Sequence, residues 1–424
     1  MYYVFVILFT FSLSLSSQIK SVGDIHKALQ KGKVNSTESE QIIAYLKKRY
    51  KNQSLKTFNR RVLTQRHEDG GGTVVWSLEA KSGHTVEIFA EKNRHWSMQE
   101  LGKSGVYVAS QRFPNFSSVH FRYAINGVRQ NMAKEHRFGF ESYKWQPMSL
   151  KQSGVPEGKL ISKGVYKASD EFYKASERNW WIYVPVQYKK DTAAKLLLFN
   201  DGGGFIKGDG NACTVMDNLI HTGKMPVSIA VFVNPGNISR GEGKAAIKNR
   251  GNEYDTCTPK FANFIEKEIL SQVYAEYNIS KDPADHVIIG SSSGASCAFT
   301  AAWHRNDLFQ KVVSFVGSYC DFRPTNDYPH STAPKSEYGP FKTAHDYPAL
   351  IRKTVPSKKI KVYLQDGVND LDNRLGNWYQ NNERMATALA FAGYDFKFTS
   401  GKGLHSKKHG MYLLPEILEW LWKD

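Results

Sequence analysis

The sequence predicts a mainly parallel α/β sheet covered by helices on both faces, preceded by a small antiparallel β-sandwich. Three observations carry this. From Trp180 onward, short β-branched runs alternate with helical patterns. One such run, Val287-Ile288-Ile289, leads into Gly290-Ser291-Ser292-Ser293-Gly294 and then a stretch of small residues. Between Thr73 and Ile125 the apolar period is two.

Taken in order, Tyr2 to Leu15 are almost wholly apolar, and Ser14-Leu15-Ser16 offers a small-x-small cleavage signal before the polar region at Gln18. Residues 1–17 therefore read as a signal peptide, with the protein secreted or periplasmic. No Lys or Arg precedes the apolar run, which leaves open a short uncleaved anchor, although the stretch is short for a bilayer span. No stable membrane insertion is expected once it is removed. Residues 18–69 read as a helix and linker: Thr37 and Glu40 fit a capping box before Ile42, Ile43 and Leu46, and a basic stretch to Arg66 precedes Gly70-Gly71-Gly72.

Residues 70–150 carry the period-two runs Val74–Ala80, Thr85–Ala90, Gly105–Ala109 and Val119–Ile125, the last followed by the hairpin turn Asn126-Gly127. Short strands at this spacing predict a sandwich. An early Trp and a late Tyr-x-x-x-Gly resemble the immunoglobulin-like early set modules, akin to starch-binding domains, that precede the catalytic domain in enterochelin esterase-like proteins. That resemblance implies polysaccharide binding through Trp76 or Trp96; packing of these aromatics in the core or between domains is the competing reading.

In residues 165–424 the strands read as Trp180–Pro185, Lys195–Asn200, Val227–Val233, the run before Gly290, Lys311–Val316, Lys359–Leu364 and Tyr394–Phe398. Helical patterns lie between them, including Phe261, Ile265, Ile269 and Val273, then Met385 with Leu389, and finally Met411 to Trp422. This is the α/β-hydrolase arrangement. Within it a G-x-S-x-G segment makes a strained elbow that exposes its serine, so Ser292 is the candidate nucleophile. A serine hydroxyl needs a histidine to accept its proton and an acid to orient that histidine.

Strand-end logic places the acid after Leu364, where Asp366, Asp370 and Asp372 compete. Asp366 precedes Gly367 and suits a turn, Asp372 suits a helix cap, and Asp370 lies on the loop proper and is preferred. The base should follow Phe398. There His405, in a glycine-rich bend, is preferred to His409 at the last helix. Oxyanion donors are expected from the amide of Ser293 and from Gly203 or Gly204 in Asn200-Asp201-Gly202-Gly203-Gly204-Phe205. That loop lacks the Gly-Lys-Ser/Thr of a phosphate loop.

Asp201 to Phe205, Arg250-Gly251-Asn252-Glu253-Tyr254-Asp255, the elbow, Asp366-Gly367-Val368-Asn369-Asp370 and His405 to Gly410 resemble the putative esterase (esterase D) family in its enterochelin esterase-like branch. The resemblance implies a Ser292, Asp370, His405 triad, no cofactor, and carboxylic ester substrates that range over feruloyl and acetyl groups on polysaccharides, siderophore lactones and S-formylglutathione; a few members transfer acyl groups. It also implies substrate contacts from Arg250, Glu253 and Phe205, with a structural ion pair as the alternative for the first two. The insertion Asp321–Tyr347 is expected to shape the pocket.

The balance of readings is a serine esterase acting on acyl esters of carbohydrates, followed by a ferric siderophore esterase, which the net charge of +17 would suit. A non-catalytic carbohydrate-binding protein with a degenerate hydrolase domain is the rival from another class. Apart from Lys47–Arg49, Lys51, Lys56 and Arg60-Arg61, the basic residues are interleaved with acids, so a solvated basic surface is expected and no nucleic acid partner. Cys213, Cys257, Cys297 and Cys320 have no metal-ligand spacing, so no metal is expected; one disulfide is permitted.

Overall fold

The structure is a computed structural model that describes residues 18–50, 62–90, 94–130, 136–206, 210–242, 244–323 and 343–423. The predicted signal peptide and most of the Asp321–Tyr347 insertion lie outside them. The chain divides into two compact units, Met1–Ser142 and Tyr143–Asp424.

The first unit holds two antiparallel sheets. One orders the strands Val62–Arg66, Gly72–Glu79, Val106–Phe113 and Gln99–Glu100; the other orders His95–Ser97, Val86–Ala90, Ser117–Ile125 and Val128–Arg129, with His136–Phe140 also paired to Ser117–Ile125. Alternate residues of both sheets, among them Val74, Trp76, Val86, Ile88, Phe121 and Tyr123, meet in one core. The hairpin at Asn126-Gly127 has φ of 49° and 76°, the two positive values its turn type requires.

Of the two readings of Trp76, core packing holds: it is fully buried and stacks on the half-buried Trp96 at 5.1 Å, offering no face to a sugar. Two expectations are corrected here. Val62–Arg66 is not linker but a strand paired to Gly72–Glu79, the triple glycine leading from their turn into the second strand. The helix Ser36–Arg49 is capped by Asn35 and Glu38, not Thr37 and Glu40: Asn35 Oδ1 accepts from the Glu38 amide at 2.8 Å, starting the helix earlier. A preceding helix, Val22–Gln30, joins it, and Ile25, Ile42 and Leu46 pack on Val75, Val106 and Val108.

The second unit is built on a ten-stranded sheet. Its strands are β1 (Lys159–Lys167), β2 (Ser176–Val184), β3 (Lys195–Asn200), β4 (Ser228–Val233), β5 (Asn237–Ile238), β6 (Ile247–Lys248), β7 (His286–Ser291), β8 (Lys311–Phe315), β9 (Lys361–Gly367) and β10 (Phe396–Gly401). The spatial order is β6-β5-β2-β4-β3-β7-β8-β9-β10, with β1 beside β2. From β4 to β10 every pairing is parallel.

These strands read as unbroken apolar runs because both faces are covered. Leu196, Leu198, Ile288 and Val312 enter one core with the helices Ser293–His304 and Trp378–Phe391, while Leu197, Phe199, Val287 and Val313 enter another with Ala212–His221 and Lys408–Leu421. The four-residue recurrence of Phe261, Ile265, Ile269 and Val273 is longer than an α-helical turn, and there the helix widens to a π segment over Ile265–Leu270. All four residues are buried.

Candidate active site

Ser292 stands between β7 and the helix Ser293–His304 with φ 59° and ψ −128°. A non-glycine residue persists there only where its surroundings enforce it. The two glycines do so: a Cβ at Gly290 would lie 2.1 Å from the Gly294 carbonyl oxygen, and one at Gly294 would lie 2.7 Å from Asp201 Oδ2. The Ser292 amide donates to the Phe315 carbonyl of β8 at 2.9 Å, tying the elbow to the neighbouring strand.

Three side chains converge on this turn from distant segments. Ser292 Oγ lies 2.8 Å from His405 Nε2, and His405 Nδ1 lies 2.7 Å from Asp370 Oδ1. The Asp370 side chain is fully buried and that of His405 only 15% exposed. A carboxylate facing Nδ1 fixes the proton on that nitrogen, which leaves Nε2 to accept from the serine. The indole of Trp378 packs edge-on against the imidazole, with centroids 5.6 Å apart.

The competing residues are otherwise engaged. His409 is buried, its Nδ1 3.1 Å from Gln365 Nε2 and its face stacked on Tyr143 at 5.1 Å; burial lowers its pKa. Asp372 is exposed in a short hairpin, and the cap of the following helix is Asn377. Asp366 does not serve an open turn. It is fully buried at the end of β9, accepting from the Gly367 amide and from Asn382 Nδ2, each at 2.7 Å. Burial first, and the Asp370 carboxylate second, push its pKa well above the usual 3.8.

Between the ordinary value of 3.8 and that raised one, the folded chain holds a proton at Asp366 that the unfolded chain releases. Its contribution to stability is full below pH 3.8 and is lost as pH rises through the raised folded value. Asp366→Asn should remove that loss, so the Tm of the variant relative to the parent should climb as pH is raised from about 4 to 8. A constant difference over that range would mean that Asp366 is ionised throughout.

Ser292 and His405 open on a cavity of about 440 Å³, whose wall includes Phe205, Arg250, Lys407 and Lys408. Arg250 forks onto Asp201 through Nε and Nη2, each at 2.8 Å, and Nη2 also reaches the Ser291 carbonyl at 3.2 Å. Although burial opposes it, the Asp201 carboxylate holds the guanidinium firmly charged. A second cavity of about 630 Å³ shares Asp201 and Gly204 and is lined by Asn179, Asn234 and Asn237.

Glu253 is not a substrate contact: its buried carboxylate pairs with Arg178 Nη1 at 2.7 Å and accepts from Asn249, so the structural ion-pair alternative holds, with Arg178 as the partner. Phe205 lines the cavity, its ring also packed on Phe199. The loop glycines are also engaged, because the chain winds into a helical turn over Gly203–Ile206. The Gly204 amide donates to the Asp201 carbonyl at 2.9 Å and that of Gly203 to Asn234 Oδ1 at 2.8 Å. The Ser293 amide, first in its helix, meets no acceptor among the described residues.

Two neighbours of the nucleophile went unread in the sequence. Ser318 Oγ is 3.1 Å from Ser292 Oγ, and Trp378 Nε1 is 3.1 Å from Ser318 Oγ. The strand-end reasoning that picked Asp370 would have reached Ser318, three residues beyond β8. Among the described residues, no group of His, Cys, Asp and Glu is arranged to hold a metal, the four cysteines are free, and no helix is long and apolar enough to cross a membrane.

Residues 174–418 match the sequence family described as Putative esterase. Among solved structures, an enterochelin esterase from Shigella flexneri is similar over 87% of this chain and 99% of its own, with 15% identity and a TM-score of 0.56. A ferric enterobactin esterase from Salmonella typhimurium is similar over 88% and 98%, with 14% identity and a TM-score of 0.52. In sequence, an uncharacterized protein of Bacillus subtilis, YbbA, is 20% identical over 157 residues, which span 36% of this chain and 62% of YbbA.

Proposed function

The chain belongs to the putative esterase family, and from that premise we propose that it is a serine carboxylic ester hydrolase working through Ser292, His405 and Asp370. The observation that carries this is the unbroken hydrogen-bond chain from the Ser292 oxygen through both nitrogens of His405 to Asp370. Ser292 Oγ attacks the ester carbonyl carbon while His405 Nε2 takes its proton. The imidazolium, held by Asp370, then protonates the departing alcohol oxygen. Water enters, gives its proton to His405 and attacks the acyl carbon, and Ser292 departs with the proton returned. The Ser293 amide is the first oxyanion donor. Gly203 is the candidate for the second, and to serve its amide must exchange Asn234 Oδ1 for the oxyanion.

For the substrate, the charge of the cavity wall supports one reading over the other. Lys407, Lys408 and Arg250 face one carboxylate, Asp201, which Arg250 already neutralises. An excess of cations favours an ester bearing anionic groups, such as a tris-catecholate siderophore lactone, over a neutral acetylated sugar. Of the two aromatics on which the sugar reading drew, Trp76 is fully buried and only the half-buried Trp96 is left, which weakens that reading. The first unit is assigned as an immunoglobulin-like early set module on the strength of its two sheets around one core. Secretion is supported by the apolar stretch Tyr2–Leu15.

A panel of acetylated xylan, feruloylated arabinoxylan and ferric enterobactin tests the substrate. The highest kcat/KM is expected on the tris-catecholate. A higher value on acetylated xylan would overturn the assignment of substrate and leave the esterase standing.

A further inference from the structure

We propose that the Ser318 hydroxyl donates a hydrogen bond to the Ser292 oxygen and acts as a fourth catalytic group, an inference that rests on the serine esterase reading above.

The direction of the bond follows from counting donors. An indole nitrogen only donates, so Ser318 Oγ accepts from Trp378 Nε1 at 3.1 Å. The hydroxyl then has one proton to place. Among the described residues its other neighbour is Ser292 Oγ, also at 3.1 Å. Ser292 is committed to His405 Nε2, at 2.8 Å, so its oxygen has a lone pair free to receive the Ser318 proton. The proton order Trp378, Ser318, Ser292, His405 satisfies every atom in the row.

The backbone is bent to hold Ser318 there. Val316, β-branched and the first residue after β8, has φ 46°, a conformation such residues rarely adopt. It is locked by donating to the Gln365 carbonyl at 2.8 Å, while Asn382 Nδ2 holds the Gly317 carbonyl at 2.9 Å. A Cβ at Gly317 would lie 2.4 Å from the Tyr319 ring. The Ser318 amide reaches the Ser292 carbonyl at 3.2 Å, and the residue is 1% exposed. Such strain at Val316, two residues before a buried serine that touches the nucleophile, points to function.

Ser318 keeps its proton throughout. As Ser292 Oγ passes its proton to His405, partial negative charge gathers on that oxygen in the transition state, before bonding to the acyl carbon moves it to the carbonyl oxygen, and there the hydrogen bond from Ser318 is strongest. When water displaces the acyl group, Ser292 Oγ leaves carrying charge again, and the same bond assists. Hydrogen bonds to charged groups are strong enough that loss of this one should slow both half-reactions roughly tenfold.

The test is the rate at which a fluorophosphonate labels Ser292 in the full chain, read by peptide mass spectrometry, beside steady-state kcat and KM on a nitrophenyl ester. Ser318→Ala should label about tenfold more slowly than the parent and lose kcat by a similar factor, with KM little changed. Ser318→Thr, which keeps a hydroxyl, should restore most of the labelling rate, a rescue that simple loosening of the core would not produce. Labelling of Ser318→Ala at the parent rate would overturn the inference while leaving Ser292 as nucleophile. A parent protein that is not labelled at residue 292 would remove the esterase reading, and this inference with it.

Discussion

Replacement of Ser292 by alanine should abolish ester hydrolysis, with kcat on a nitrophenyl acetate falling by about 10⁴-fold or more. The change deletes the atom positioned both to attack a carbonyl and to give its proton to His405 Nε2. It leaves His405 bonded to Asp370 and the glycine contacts of the elbow in place. The backbone strain at residue 292 is the same for alanine as for serine, so the fold should survive. Stability should change by about 1 kcal/mol, the scale of one lost hydrogen bond. Tm measured beside the rate separates loss of chemistry from loss of structure. What remains is the contribution of binding and of the oxyanion donors.

Asp370→Asn should lower kcat by roughly 10⁴-fold, for a different reason. The carboxylate facing His405 Nδ1 is what keeps the proton on that nitrogen. An amide of the same shape can donate to Nδ1, which moves the proton to Nε2 and leaves nothing there to accept from Ser292. The variant should recover little activity at any pH at which the protein is folded. Asp372→Asn, at an exposed hairpin residue, should retain full activity. Comparable losses from both substitutions, measured as kcat/KM with Tm as control, would point to a general disturbance of the loop.

Which parts of this arrangement were readable in the sequence follows from how local each constraint is. Gly290 and Gly294 could be read because each answers a contact inside the elbow or with the adjacent loop, where a single added carbon would collide. Asp370 and His405 could be read because parallel strands deliver their carboxyl-terminal loops to one edge of the sheet. Asp366 was misread as a turn residue. What sets it apart from Asp370 is burial against Asn382, on a helix the pattern places but cannot orient. Glu253 carries two readings in the sequence, substrate contact or structural ion pair, because its partner Arg178 lies 75 residues earlier and both are closed off only when β2 packs against that loop.

The oxyanion glycines show a finer limit. The run from Asp201 to Phe205 announces a tight loop, but whether its amides point outward or close on their own carbonyls depends on one turn of backbone. Here that turn gives the Gly204 amide to Asp201 and the Gly203 amide to Asn234. In the first unit the hairpin at Asn126-Gly127 was legible, since both residues must take positive φ. Trp76 keeps two readings in the sequence, core or sugar face, because alternation marks a face of a strand without saying whether that face is covered; the core reading holds.

The proposed mechanism requires Ser292 to form a covalent acyl-enzyme. Rapid acid quench of the full chain with a slowly hydrolysed nitrophenyl ester, followed by peptide mass spectrometry, reads this directly. The expected result is one acyl group, carried on the peptide that contains Ser292 and lost in His405→Ala. Hydrolysis that proceeds at the parent rate in Ser292→Ala, or an acyl group carried on any other residue, would contradict it.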